Sequence, residues 1–99
     1  MPSSLKTFEE FDQLLATTRA QVDAMSIAEP DDGAIASVKR QLDAVYGWTR
    51  GGRCPAQSEK DQLNFGMIAS RELDHYPVAA SLYELASYVI YWGHPEQTT

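Results

Sequence analysis

Residues 78–92 read VAASLYELASYVIYW, and Glu84 is the only charge in the run. On a helical wheel Val78, Leu82, Leu85, Val89 and Trp92 fall on one face, while Tyr83, Ile90 and Tyr91 fall roughly opposite. A helix that is apolar all round must be covered on more than one side, either by its own bundle or by another molecule. Its length, about 15 residues, is short of the roughly 20 that span a bilayer. The segment is therefore read as a bundle helix, either central in its bundle or covered on its second face by something else.

Working back from it, Asp74-His75-Tyr76-Pro77 breaks the preceding helix and opens this one, because proline suits a first helical turn. Before the break, Leu63, Gly66, Met67, Ser70 and Leu73 share one face of a third helix, expected over residues 58–73. Ser58-Glu59-Lys60-Asp61 is its weak capping box, and Phe65 and Ile68 sit on the opposite side as a smaller apolar patch. Gly66 lets a neighbouring helix approach closely, at about 1 kcal/mol of propensity relative to alanine. Residues 50–57 (RGGRCPAQ) form the one long, flexible connection.

Upstream, Ile35, Val38, Leu42, Val45 and Thr49 make a stripe with helical spacing over 32–49, with Trp48 displaced from it and Lys39, Arg40 and Asp43 facing water. Asp31 or Asp32 caps its start, and Gly51-Gly52 ends it in the left-handed manner. The first helix, over 5–27, carries Leu5, Phe8, Phe11, Leu15, Thr18, Val22 and Met25 on one face. Thr7 and Glu10 are spaced as a capping box. With the last helix at 77–92, ended by Gly93, and a frayed tail at 94–99, the expectation is one all-α domain. It is a compact antiparallel bundle of four helices.

Composition excludes several functions. The 99 residues carry 14 acidic and 8 basic side chains, a net charge of −6. Nucleic acid and anionic membrane surfaces both need clustered Lys and Arg, so neither is an expected partner. A basic protein surface would be attracted. Cys54 is the only cysteine, so no internal disulfide forms, which fits a reducing compartment. The start, MPSSLKTFEEF, has no apolar core segment, so no signal peptide is expected and the protein is read as cytoplasmic.

No constellation for catalysis or a cofactor emerges. Cys54 follows Arg53 but has no base near it in sequence, and it reads as an incidental loop thiol. Glu72-Leu-Asp-His75 has a Glu-x-x-His spacing that di-metal bundles use twice, but here it occurs once and at a helix end. Arg50 and Arg53 are solvated, and Glu29, Asp31 and Asp32 lack calcium-loop spacing. What stands out is the aromatic content around the last helix. Tyrosine and tryptophan are enriched at protein interfaces, because they join apolar area to a polar tip. Trp48, Tyr76, Tyr83 and Tyr91, with Glu72, Asp74 and Glu84 near them, are the candidate partner-binding residues.

Residues 37–45 (SVKRQLDAV), 63–74 (LNFGMIASRELD), Tyr76-Pro77 and 81–88 (SLYELASY) together resemble small all-helical immunity proteins of the bacterial type VI secretion system. The relatives in question protect the cell against an effector that hydrolyses NAD(P)+. The resemblance covers roughly the last two-thirds of the chain, and residues 50–57 depart from the pattern. It implies a non-enzymatic inhibitor that binds a cognate toxin in the cytoplasm and occludes its active-site cleft. The alternative reading is a homodimeric structural or regulatory bundle, with the spare faces of the last two helices closing a two-fold interface.

Overall fold

The computed structural model describes residues 4–92, which form an all-α bundle with no strand among them. Four principal helices, α1 (Phe8–Ala28), α2 (Gly33–Trp48), α4 (Phe65–Glu72) and α5 (Val78–Tyr91), are joined by a 3-10 turn at Arg50–Gly52 and the single-turn helix α3 (Gln57–Lys60). The helix end expected at Gly93 and the tail at 94–99 lie outside the described residues.

Local chemistry sets the starts of α1 and α2. Thr7 Oγ1 accepts from the Glu10 amide, and the Glu10 carboxylate accepts from the amides of Lys6 and Thr7. Asp32, not Asp31, caps α2 by accepting from the Ala34 and Ile35 amides at 2.9 and 3.1 Å. After α2 the chain turns through Gly51 and Gly52, with φ of 75° and 83°, values that a side chain would strain.

Packing closes a ring. α1 lies against α2 and α5, and α4 lies against α5 and α2. Sequence periodicity left open whether the first helix sits beside the third or the last, and the structure places it beside α5. The core holds Phe11, Leu15, Val22, Ile35, Val38, Leu42 and Val45 from the first half, and Phe65, Leu73, Leu82, Leu85 and Val89 from the second. At the α1–α5 seam the Phe11 ring stacks on Tyr88 at 4.6 Å, and Trp92 meets both rings edge-on at 5.7 and 5.1 Å. Each such pair adds about 0.5–1.5 kcal/mol beyond its burial. Tyr88 and Trp92 thus belong to the core side of α5.

The third helix differs from the sequence expectation. Instead of one helix over 58–73, the chain makes α3, a turn, then α4. In an unbroken helix the Asn64 amide would bond to the Lys60 carbonyl. It donates instead to Gln41 Oε1 at 2.7 Å, while Gln41 Nε2 donates to Asn64 Oδ1 at 2.7 Å. The break lets Lys60 and Phe65 both turn inward, although they would sit about 140° apart on one continuous helix. Re-phasing also exchanges the faces of α4. Phe65, Ala69 and Leu73 are buried and Ile68 packs against the core, whereas Met67 and Ser70 point outward.

The 50–57 connection is tied down rather than flexible. Arg50 donates to the Tyr46 carbonyl and pairs with Asp12. Arg53 donates to the Trp48 carbonyl and pairs with Glu59, and Pro55 is buried. Along the α1–α2 seam Arg19 pairs with Asp43, Lys39 pairs with Asp23 and Asp43, and both Arg19 and Arg50 lie over the Tyr46 ring at 4.1 and 3.7 Å. These pairs are solvent-exposed, so each contributes only about 0–1 kcal/mol. Their hydrogen bonds raise the pKa of Lys39 through Asp23 and of Arg50 through Asp12, which keeps both charged.

One core position is imperfect. Thr18 is fully buried, and its hydroxyl has no hydrogen-bond partner among the described residues. A buried, unpaired hydroxyl costs about 1–3 kcal/mol. Thr18→Val keeps the shape and removes the hydroxyl, so thermal denaturation should show a gain of about 1 kcal/mol, equivalent to roughly 4–8 °C in Tm for a domain of this size. A lower Tm would mean that the hydroxyl is satisfied in solution.

Candidate functional site

The residues expected to bind a partner do not gather into one patch. Trp48 is half-buried at the end of α2, on a trough shared with the start of α4. Glu72 and Asp74 are exposed at the other end of α4, and Tyr76, half-buried, packs its ring 4.4 Å from His75. Tyr83 is 40% exposed, and Tyr91 is half-buried. Glu84 is already engaged: its Oε1 accepts from the amide and hydroxyl of Ser4 at 2.8 and 2.7 Å, which fastens the segment before α1 to α5. It serves as an internal tether, a role that its position on a mostly apolar helix did not reveal.

What the structure does assemble is a cleft between α4 and α5. Its walls are Leu63, Phe65, Gly66, Met67, Ala86 and Ile90, almost wholly apolar, around a cavity of about 170 Å³. Gly66 lines it where α4 and α5 approach closely: a Cβ there would lie 2.9 Å from the Ala86 Cβ, so any side chain at this position would push the helices apart. Met67 and Ile90 stand at the rim, 55% and 53% exposed. The close approach at Gly66 was legible in the sequence. Ile90 falls on the outward face that the helical wheel gives the last helix, whereas Met67, expected on the main face of the third helix, is exposed because that helix is broken and α4 re-phased.

A second, polar hollow adjoins the cleft and shares Leu63 and Asn64 with it. Ser37, Arg40, Gln41, Ala44 and Trp48 from α2 line its other side, around about 380 Å³. Asn64, which lines both, is hydrogen-bonded to Gln41 of the polar hollow.

Titratable groups do not converge. Among the described residues no three His, Cys, Asp or Glu side chains come together as a metal would require. His75 lies 3.9 Å from Asp74 and is exposed, so the Glu-x-x-His spacing does not build a pocket. Cys54 is exposed and makes only weak 3.5 Å contacts to the carbonyls of Pro55 and Trp92. The ammonium of Lys60, a buried side chain that sequence pattern had treated as part of a cap, donates to the same Trp92 carbonyl and closes the end of α5. Helix-period arguments miss it because lysine buries its stem while its head finds a partner.

Burial is the largest cause raising the pKa of the Tyr88 phenol, followed by Glu9 and Cys54. A group with a raised folded pKa binds more protons folded than unfolded above its ordinary pKa near 10, so stability is level below that pH and falls as pH rises through the folded value. Tyr88→Phe should remove that decline; urea titrations at pH 9 and above pH 10 would show it, and equal losses in both proteins would contradict the assignment.

No helix among the described residues is long and apolar enough to cross a membrane. Compared with protein-family models, curated proteins and solved structures, the chain has no significant match.

Proposed function

We propose that this protein acts by binding another protein, and that it is a cytoplasmic inhibitor of a toxin-type effector, as the small helical immunity proteins it resembles in sequence are. The observation that carries the reading is the α4–α5 cleft. At about 170 Å³ it is smaller than the roughly 300–1,000 Å³ of small-molecule sites, and its size suits one inserted side chain. A well-packed apolar pocket that accepts one anchor, rimmed by exposed Met67 and Ile90, has the character of a protein-binding hot spot. The net charge of −6 supports a basic partner, whose approach it would accelerate. Inhibition then needs no chemistry from this chain: occupying the partner's cleft is enough.

Affinity purification of the tagged protein from its native cells, followed by co-expression with any toxin-type protein recovered with it, tests the reading. The expected results are restored growth and recovery of the two proteins in near-equal amounts. Failure of both would exclude it. Self-association through the same exposed α4–α5 side chains, Met67, Tyr83 and Ile90, is the second reading. Light scattering distinguishes it by a mass of twice 11.0 kDa for the purified chain alone.

A further inference from the structure

Gln41 is a buried polar side chain on α2, and one bond fixes which way its amide points. The Asn64 backbone amide can only donate, so the atom it meets at 2.7 Å is Gln41 Oε1. Gln41 Nε2 must then donate, to Asn64 Oδ1 at 2.7 Å and to Ser37 Oγ at 3.0 Å. The three side-chain oxygens each accept a bond already, and donors are what remain. Among the described residues the Asn64 side-chain NH2 and the Ser37 hydroxyl proton have no acceptor.

These three residues line the polar hollow of about 380 Å³, together with Arg40 and Trp48 from the same face of α2. Arg40 is exposed and, among the described residues, has neither an ion pair nor a hydrogen bond, whereas Arg19, Arg50 and Arg53 each hold a carboxylate. The indole N–H of half-buried Trp48 also lacks an acceptor there. Gln62 is the exception in the lining: its Nε2 donates to the Ser58 carbonyl, which leaves its Oε1 as an acceptor. Although the chain has 14 acidic residues, no Asp or Glu lines the hollow.

We infer that this hollow is a binding site for a small monocarboxylate with a flat apolar body. The carboxylate takes Arg40 and the Asn64 NH2, and the body lies against Trp48, Ala44 and Leu63. A guanidinium fork can pair both carboxylate oxygens at once, and an indole offers a broad apolar face. The volume falls within the roughly 300–1,000 Å³ of small-molecule sites, unlike that of the α4–α5 cleft. Six net negative charges oppose the approach of a polyanion, so a single carboxylate suits the site better than a phosphate. The site uses a different surface from the protein-binding reading above and goes beyond it. The same chemistry is offered by a free aromatic acid and by a peptide chain ending in phenylalanine.

The test titrates the full 15N-labelled chain with phenylacetate, its neutral isostere phenylacetamide, inorganic phosphate, and an acetylated tripeptide ending in phenylalanine. Phenylacetate should bind with a Kd on the order of 1 mM, as expected for a ligand of its size. Its shifts should centre on the Asn64 side-chain amide, the Trp48 indole N–H and Arg40. Phenylacetamide and phosphate should each bind about tenfold more weakly. Arg40→Gln should lose about tenfold and Arg40→Lys less, because lysine keeps the charge without the fork. Asn64→Asp keeps an oxygen for Gln41 Nε2 but replaces the NH2 with a negative oxygen, so it should abolish binding in a protein that stays folded by circular dichroism. The tripeptide binding more tightly than phenylacetate would support the site with a chain end as its occupant, and the reverse order would support it with a free acid. Equal binding of phenylacetamide, tighter binding of phosphate, indifference to Arg40→Gln and Asn64→Asp, shifts centred elsewhere, or no binding of either carboxylate at about twenty times the expected Kd would each overturn the inference. Loss of the toxin complex would leave it standing, since none of these titrations contains a protein partner.

Discussion

Phe11→Ala should cost about 3–5 kcal/mol, the range for removing a buried ring. Phe11 is fully buried, stacks on Tyr88 and meets Trp92 and Phe8, so the truncation empties the point where α1 closes on α5. A domain of this size has about 5–15 kcal/mol in total, so the variant sits near its unfolding threshold. Its Tm should fall by roughly 12–40 °C, taking 4–8 °C per kcal/mol. Phe11→Leu keeps much of the apolar volume and should lose well under half as much. Calorimetry on the two variants checks both numbers, and equal losses would mean that ring geometry, rather than filled space, holds the seam.

Ile90→Asn has the opposite profile. Ile90 is 53% exposed at the cleft rim, so stability should change by no more than about 1 kcal/mol. A polar amide at the anchor pocket should nevertheless weaken partner binding by about thirtyfold or more, the equivalent of 2 kcal/mol at a hot-spot position. Titration calorimetry with the partner, alongside thermal denaturation of the free variant, separates the two effects. An unchanged affinity would move the interface away from α4–α5. Lost affinity accompanied by a large fall in Tm would place Ile90 in the fold rather than the interface.

The contrast between Phe11 and Ile90 marks what the sequence could convey about function. Both are large apolar residues on amphipathic helices, and wheel geometry separated their faces correctly in α1 and α5, which are long enough for the 3.6-residue period to repeat several times. The same reasoning inverted Met67 and Phe65, because α4 has eight residues and its phase is set by a break that no proline or glycine announces. The candidate residues fared unevenly for a related reason. Tyr83 does face solvent, but Glu84 is held by Ser4, eighty positions away in the chain, a pairing that no local pattern reveals.

By itself, then, the sequence determined the helical class, the caps at Thr7 and Asp32, the inward stripes of α1, α2 and α5, and an acidic surface. All of these are set by interactions within a few residues or by composition. Tertiary structure alone decided that α1 packs beside α5, that Gln41 takes the Asn64 amide and divides the third helix, that Lys60 closes the end of α5, and that Gly66 meets Ala86 in an apolar cleft. Each of these depends on which distant groups meet when the helices close their ring, and the free energy of such a contact belongs to the pair rather than to either residue's own neighbourhood in the chain.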